Sequence, residues 1–260
     1  MPLNLQLLIP LIAGHLAGDF VLQTEKMVAE KGRAWPRLLH AAIVALVSWI
    51  LVGYWTTWWW LIPSLLITHF LIDTAKTAVD SKLSSESREG SSWMARNGEA
   101  TIFFADQALH LAVIVGLVQL STLPSLAATV EGQSDWVAWL GGTYLSFLIL
   151  VSGFVAAVYV TGYALGFLLK RFAIQEEGGL PGGGLYIGFF ERAIIFIFVM
   201  AGQPAGIGFL VAAKSVFRFG ELKDRQSREM AEYILIGTLM SFTFAMIIAY
   251  ATRYLLRGAF

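Results

Sequence analysis

Histidine and aspartate recur four residues apart in three apolar stretches of the sequence. Residues at this spacing lie on one face of a helix, so each pair is predicted to present an imidazole beside a carboxylate. The chain has four histidines, and the fourth, His40, begins another apolar stretch. The three pairs are His15 with Asp19, His69 with Asp73, and Asp106 with His110.

Imidazole nitrogens and carboxylate oxygens together are suitable ligands for Zn, Mn or Fe. The sequence therefore predicts a divalent metal site, in which the metal activates a bound water for hydrolysis and a remaining carboxylate or histidine is the general base. The candidate catalytic residues are Asp19, Asp73 and Asp106. The candidate metal ligands are these three aspartates with His15, His69 and His110, and the candidates for the rim are His40, Lys76, Gln23 and Gln107.

The composition is that of a membrane protein. Hydrophobic residues make up 57% of the chain and charged residues 14%, whereas about a quarter of the residues of a soluble domain are charged. Several apolar runs approach about 20 residues, the length of a membrane-spanning helix. The formal net charge is zero, and no long basic run indicates a nucleic-acid partner. The absence of cysteine excludes disulfides and thiolate metal sites. The first predicted partner is therefore the lipid bilayer.

The apolar runs predict an all-α, polytopic transmembrane bundle of about seven spans and one short broken or re-entrant segment. The short segment, residues 202–213, contains Pro204 and several glycines. The histidines predict a first domain at 1–120, and the remainder, 121–260, is predicted to be a second domain. The predicted spans are 4–22, 38–54, 58–75, 101–120, 137–169, 185–200 and 233–251.

Basic residues indicate the orientation of the first half. They occur in the segments 23–37, 77–99 and 170–184, which places these segments in the cytoplasm and the N-terminus outside. The predicted helices then bring their histidines to the cytoplasmic half of the bilayer. An aspartate at membrane depth costs about 2.5–3.5 kcal/mol on insertion scales, so three aspartates require partners, water or a metal. Their common depth indicates a single site.

The second half has a polar set of its own. Arg192, Lys214 and Arg218 form a candidate anion-binding cluster for a phosphate or carboxylate headgroup, beside the broken segment. The alternative is that Glu191 pairs with a nearby cation and that 214–232 is an amphipathic surface helix. The glycine-rich stretch 176–184 is predicted to be a flexible linker, because no GK[ST] follows it.

The motifs of the first half resemble those of a bacterial integral-membrane family, domain of unknown function 3307. The resemblance covers residues 1–120; it implies a bacterial cytoplasmic membrane protein and no particular activity. A looser similarity is to the membrane-bound metal-dependent hydrolases, whose histidine pattern is not matched residue by residue. The family motifs are HLAGDFVLQ from His15 to Gln23, Leu39 with His40, HFLID from His69 to Asp73, and DQALH from Asp106 to His110.

These observations favour a metal-binding, hydrolytic membrane enzyme that acts on a membrane-associated substrate of the lipid phosphate type or on another small molecule. Two alternatives use the same residues. An ion- or proton-coupled transporter would use them as a relay. A non-catalytic subunit of a membrane complex would use them only to fix helix packing. Assembly into a homo-oligomer or a membrane complex is a further expectation.

Overall fold

Every element that the structure, a computed structural model, describes is a helix or a turn. The side chains of 84–86, 93–97, 171, 216–218 and 225–228 are outside this description. The described residues are 4–53, 55, 58–86, 93–123, 137, 140–172, 182–218 and 225–258.

The chain divides into two compact units, Met1–Ser152 (unit 1) and Gly153–Phe260 (unit 2). The boundary falls inside a helix that follows the histidine-containing region. The predicted domain boundary after residue 120 therefore lies within unit 1, and a functional division at that point stays a prediction.

Unit 1 is built from helices whose ends follow the local sequence. The Asn4 side chain accepts a hydrogen bond from the Gln6 N–H and caps α1, and the Thr24 side chain caps α2 in the same way. Gly53 ends α3 with a φ of 72°, a left-handed conformation that favours glycine. The helices are α1 (Leu5–Phe20), α2 (Glu25–Ala29), α3 (Ala34–Val52), α4 (Leu61–Glu86), α5 (Trp93–Leu120) and most of α6 (Gly142–Val155).

Two glycines bring α1 and α3 into close contact. A Cβ atom on Gly14 would lie 2.5 Å from the Cα of Ser48, and a Cβ atom on Gly18 would lie 2.5 Å from Cγ2 of Val44. Small residues at such positions allow the backbones of membrane helices to approach each other. The approach matters for the site because Gly14 and Gly18 directly precede His15 and Asp19 in the sequence.

Unit 2 has its own apolar core, in which α8 and α10 contribute most of the buried residues. Ile195 and Val199 of α8 pack with Phe242, Ala245 and Ala249 of α10. After the end of α6, the elements are a π-helical segment (Ala156–Val160), α7 (Thr161–Leu169), a 3₁₀ turn (Lys170–Phe172), α8 (Gly183–Met200), α9 (Ala205–Arg218) and α10 (Arg225–Gly258).

Five helical stretches in the described part of the chain are long and apolar enough to cross a membrane. The predicted all-α membrane architecture is confirmed at this level, and the count of seven spans stays a prediction. Two further apolar helices, Leu5–Phe20 and Ala205–Ser215, are shorter. The five stretches are Ala34–Val52, Gly98–Leu120, Gly142–Leu169, Gly183–Met200 and Glu229–Gly258.

The faces of these helices that point away from the units are apolar. Leu109, Phe147, Phe190 and Ile247 are each more than half exposed. Large exposed apolar surface on a long helix is suited to contact with lipid. The structure thus agrees with a lipid bilayer as the surroundings of the protein.

Two predicted irregular segments are helical in the structure, and a third lies mostly outside the described residues. Helix α4 continues to Glu86 and α5 begins at Trp93, so much of 77–99, which was predicted to connect the third and fourth spans, is helical. The short segment at 202–213 contributes most of a regular helix, α9, which begins after Gly202 with its φ of 74°. Of the predicted linker at 176–184, residues 176–181 lie outside the described part of the chain, and α8 already begins at Gly183.

Candidate metal centre

Four helices of unit 1 bring the four histidines and three aspartates into one buried cluster, the His/Asp cluster. Each of α1, α4 and α5 contributes one histidine and one aspartate, and α3 contributes a histidine. All the side chains are buried or nearly so. The members are His15, Asp19, His40, His69, Asp73, Asp106 and His110.

Asp19 lies at the point where three imidazoles meet. Its Oδ1 is 3.3 Å from His40 Nε2, 3.5 Å from His69 Nε2 and 3.7 Å from His15 Nδ1. Oδ1 makes no hydrogen bond with any described residue, although it is buried. The distances to His40 and His69 lie within the ligand–ligand separations of about 3.3–3.5 Å that tetrahedral zinc imposes with bonds of 2.0–2.2 Å, and the distance to His15 is longer. Asp19 Oδ1 thus adjoins one nitrogen of each of three imidazoles.

Each of the His15 and His110 rings has one nitrogen that contacts an oxygen acceptor, and this contact indicates that the other nitrogen carries a lone pair. Gln107 donates through Nε2 to Asp106 Oδ2 at 3.1 Å, so its Oε1 faces His15 Nε2 at 3.3 Å and accepts the ring proton there. His110 Nδ1 lies 2.9 Å from the Asp106 carbonyl oxygen, which can only accept. In the neutral rings, His15 Nδ1 and His110 Nε2 are then unprotonated, the form that binds a metal.

The four imidazole rings contact one another around His69. Its ring centre is 4.3 Å from that of His110 and 4.9 Å from that of His40. The rings of His15 and His110 stack at 5.0 Å. Protonation of several of these rings together would place like charges side by side, which is unfavourable in a buried cluster.

Two lysines pair with the other two carboxylates. Lys31 Nζ is 3.5 Å from Asp73 Oδ2, and Lys76 Nζ is 2.8 Å from Asp106 Oδ2. The lysines offset two of the three carboxylate charges, while the contacts shown for Asp19 Oδ1 are with histidines. The cluster with neutral imidazoles therefore keeps one negative charge, centred on Asp19.

A small cavity beside the cluster is lined in part by His15, His69 and His110. Its volume is about 10 Å³, close to the minimum needed to hold one water molecule. The enclosed cavity thus has the size of an ion or a water molecule. The side chains of Lys31 and Lys76 are partly exposed.

Several candidates occupy positions that differ from the prediction. His40 was predicted at the rim but is only 1% exposed, between Asp19 at 3.3 Å and Asp73 at 3.9 Å. The reason is the close packing of α1 on α3, which buries the second turn of α3. His69 and Asp73 share a helix face as predicted, but their shortest contacts are with residues of other helices.

The remaining rim candidates have distinct surroundings. Gln107 bridges His15 and Asp106, and Lys76 pairs with Asp106. Gln23 is half-buried just after α1, and its Nε2 has no hydrogen-bond partner among the described residues.

Lys31 is the functional candidate that the sequence analysis missed. It lies in the connector between α2 and α3, and Arg37 Nη1 donates to its carbonyl oxygen, which holds the connector against α3. Lys31 belongs to the basic segment 23–37, which was predicted to lie at the same end of the membrane as the His/Asp pairs. This segment was used only to predict the orientation in the membrane, and the pairing of Lys31 with Asp73 was not predicted.

The predicted anion cluster lies in unit 2, and the structure describes two of its three side chains. Lys214 Nζ is 2.7 Å from Glu191 Oε2, the pairing that the alternative interpretation predicted. Arg192 is buried. Arg218 is the last residue of α9, and its side chain lies outside the described part.

A protein-family model matches about half of the chain. The family model described as "Protein of unknown function (DUF3307)" matches residues 7–138, which include the whole His/Asp cluster. No curated protein and no solved structure matches the chain significantly.

Proposed function

Because the chain belongs to the DUF3307 family, whose description names no activity, we propose a function from the geometry of the His/Asp cluster: the protein is an integral membrane protein that binds a divalent metal there. The ligand types favour Zn, Mn or Fe. The motifs of the first half predicted this family, while the looser similarity to metal-dependent hydrolases stays a prediction.

The observation that carries the proposal is the position of Asp19 Oδ1 among three imidazole nitrogens. Its contact with His15 Nδ1 brings a carboxylate oxygen and an unprotonated nitrogen within 3.7 Å of each other. Two lone pairs that face each other in a buried place repel, and either a cation between them or a second proton on the ring relieves the repulsion. We take His15, Asp19 and His69 as the first ligands, because each offers an atom within 4.8 Å of the others, and His40, whose Nε2 is 3.3 Å from Asp19 Oδ1, as the fourth.

A second set of donors adjoins these ligands. Asp73, Asp106 and His110 each offer an atom within 4.8 Å of the others. Asp106 and Asp73 already have lysine partners, so this set attracts a cation less strongly than Asp19 does. Asp73 lies 3.9 Å from His40 Nε2, and in the proposed enzyme it is the general base closest to the metal ligands.

Hydrolysis is the activity that we propose for the site. A bound metal supplies Lewis acidity and makes a water molecule nucleophilic near neutral pH. Lys31 and Lys76, whose side chains are 22% and 23% exposed, provide positive charge for a phosphate group at the accessible side of the cluster. The proposed substrate is a membrane-associated molecule of the lipid phosphate type.

Ion or proton transport is a second candidate, favoured by the size of the enclosed cavity. A volume of about 10 Å³ beside three histidines suits an ion better than a substrate group. Transport would use the cluster as a relay of carboxylates and imidazoles. A purely structural role has less support, because the contacts around Asp19 Oδ1 do not meet hydrogen-bond geometry.

The proposal places the protein in the cytoplasmic membrane of a bacterium, with about seven crossings. The basic segments near Lys31 and Arg88 support an orientation with the cluster toward the cytoplasm. Assembly into a homo-oligomer or a larger membrane complex stays a prediction.

Elemental analysis of the detergent-purified protein by mass spectrometry tests the proposal. We expect stoichiometric Zn, Mn or Fe in the parent and in Glu30→Gln, a control change at a carboxylate outside the cluster, and a loss of most metal in Asp19→Asn. Absence of metal from the parent, after purification without chelators, would contradict it. Hydrolysis of lipid phosphates and cation flux in liposomes, each with Asp19→Asn as the control, then separate the enzyme from the transporter.

A further inference from the structure

A second polar cluster lies inside unit 2, where Arg192 is 3% exposed in the middle of an apolar helix. Its Nε donates to the Val158 carbonyl oxygen at 3.0 Å, and its Nη1 donates to Ser241 Oγ at 3.0 Å. The neighbouring Glu191 pairs with Lys214. Ionised groups in apolar helices are rare and commonly functional.

The position of Arg192 depends on an irregular turn in the helix that it faces. The segment Ala156–Val160 is π-helical, and the N–H of Thr161 bonds to the carbonyl of Ala156, five residues earlier. A π turn alters the regular bonding of the carbonyls within it, and such turns are frequent at functional sites. The Val158 carbonyl in this turn is the one that accepts from Arg192.

A cavity of about 350 Å³ adjoins Arg192 within unit 2, in the size range of small-molecule sites. Lys214, Glu191 and Ser241 also line it, and most of the remaining wall is glycine, leucine and isoleucine. A phosphate or carboxylate group alone would fill only a fraction of this volume. The apolar remainder suits a hydrocarbon chain.

Of the glycines that line the cavity, two contact Arg192 and two others border open space. A Cβ atom on Gly162 would lie 2.6 Å from Arg192 Nη2, and one on Gly188 would lie 2.8 Å from Nη1, so both glycines make room for the guanidinium. One turn away on the same helices, a Cβ atom on Gly166 or Gly184 would meet nothing within 4 Å. Both glycines are exposed and line the open side of the cavity.

The charge around the cavity is positive and one donor is unused. Arg192 and Lys214 are offset by the single carboxylate of Glu191 among the described lining residues. Arg192 Nη2 is buried and makes no hydrogen bond in the described part of the chain. A guanidinium with a free N–H edge favours an oxyanion.

We propose that this cavity binds an anionic amphiphile, with its phosphate or carboxylate head at Arg192 and Lys214 and its apolar chain along the glycine-lined wall. The site is independent of the metal centre, since all its residues belong to unit 2. Its test therefore has an outcome of its own, whether or not unit 1 binds a metal.

Calorimetric titration of the chelator-treated, full-length protein in a neutral maltoside detergent tests the proposal with dodecyl phosphate as the probe. We expect saturable binding by the parent and an affinity at least about tenfold lower for Arg192→Gln, which removes the charge-assisted hydrogen bonds. Gly166→Leu adds a side chain at a position in the cavity wall where a Cβ atom meets nothing within 4 Å, and it should lower the affinity comparably. This second variant keeps the test decisive if Arg192→Gln fails to fold.

Arg253→Gln is the matched control. Arg253 also lies in unit 2 and donates to a backbone carbonyl, that of Val199, but it does not line the cavity. Its variant should bind dodecyl phosphate as the parent does.

Three probes distinguish the sources of the signal. Inorganic phosphate should bind at least about tenfold more weakly than dodecyl phosphate, and dodecyltrimethylammonium should not compete. Equal binding of inorganic phosphate would overturn the amphiphile in favour of a free anion. Binding of dodecyl phosphate that both Arg192→Gln and Gly166→Leu leave unchanged would overturn the site itself and leave Arg192 a purely structural residue.

Discussion

His15 Nδ1 faces Asp19 Oδ1 at 3.7 Å, while His15 Nε2 faces the amide oxygen of Gln107 at 3.3 Å. The two residues are one turn apart on α1. Since the amide oxygen takes the ring proton on one side, the nitrogen on the other side turns a lone pair toward a carboxylate. This relationship is stable only with a cation between the two atoms or with a second proton on the ring.

Removal of His69 should abolish the thermal stabilisation that zinc gives to the protein. Zinc at about a hundredfold excess over its dissociation constant stabilises by about 2.7 kcal/mol, which corresponds to a rise in Tm of roughly 5–10 °C for a unit of this size. His69→Ala should show no rise, because His69 Nε2 is one of the nitrogens nearest Asp19. Differential scanning fluorimetry measures it, and an undiminished shift would remove His69 from the ligands.

Gln107→Leu should weaken metal binding without removing a ligand. Gln107 fixes the protonation of His15 and bridges to Asp106, and loss of such supporting hydrogen bonds commonly lowers metal affinity by about 10–100-fold. Competition with a chromogenic chelator measures the change. Gln119→Leu, at an exposed position of the same helix, should retain the parent affinity; equal losses in both variants would argue against the supporting role.

Gly14→Ala should destabilise unit 1 by about 1–3 kcal/mol, the range found for overpacked cores. The added methyl group would lie 2.5 Å from the Cα of Ser48, so α1 and α3 must separate. Thermal unfolding in detergent measures the effect. Gly116→Ala provides the control, because its methyl group meets nothing within 4 Å and alanine favours a helix. A neutral Gly14→Ala variant would show that α1 and α3 do not pack as closely as described.

Lys76→Met should destabilise the protein by about 3 kcal/mol, because it leaves the buried carboxylate of Asp106 without its cation. The double variant Lys76→Met/Asp106→Asn should recover part of that loss, since the uncompensated charge is gone. Chemical unfolding of the four proteins in the cycle measures the coupling. Strict additivity of the two changes would show that the ion pair contributes nothing.

The membrane class and the helical architecture follow from the sequence alone. Apolar runs near the thickness of a bilayer can only be long helices, because backbone groups in lipid must bond within their own segment. The motifs likewise sufficed to identify the family over the first half of the chain. Periodicity also placed His15 with Asp19 and Asp106 with His110 on common helix faces, and the structure has both pairs in contact.

Only the tertiary structure decided which side chains face one another across helices. His40 reaches Asp19 because Gly14 and Gly18 let α3 approach α1, and helix periodicity contains no information about that approach. Lys31 pairs with Asp73 because of the conformation of the connector between α2 and α3. Such a connector has no helical periodicity from which the direction of its side chains could be predicted. Local spacing determines the faces of each helix, whereas the contacts between faces depend on how closely the helices pack, and the candidate metal centre is made of such contacts.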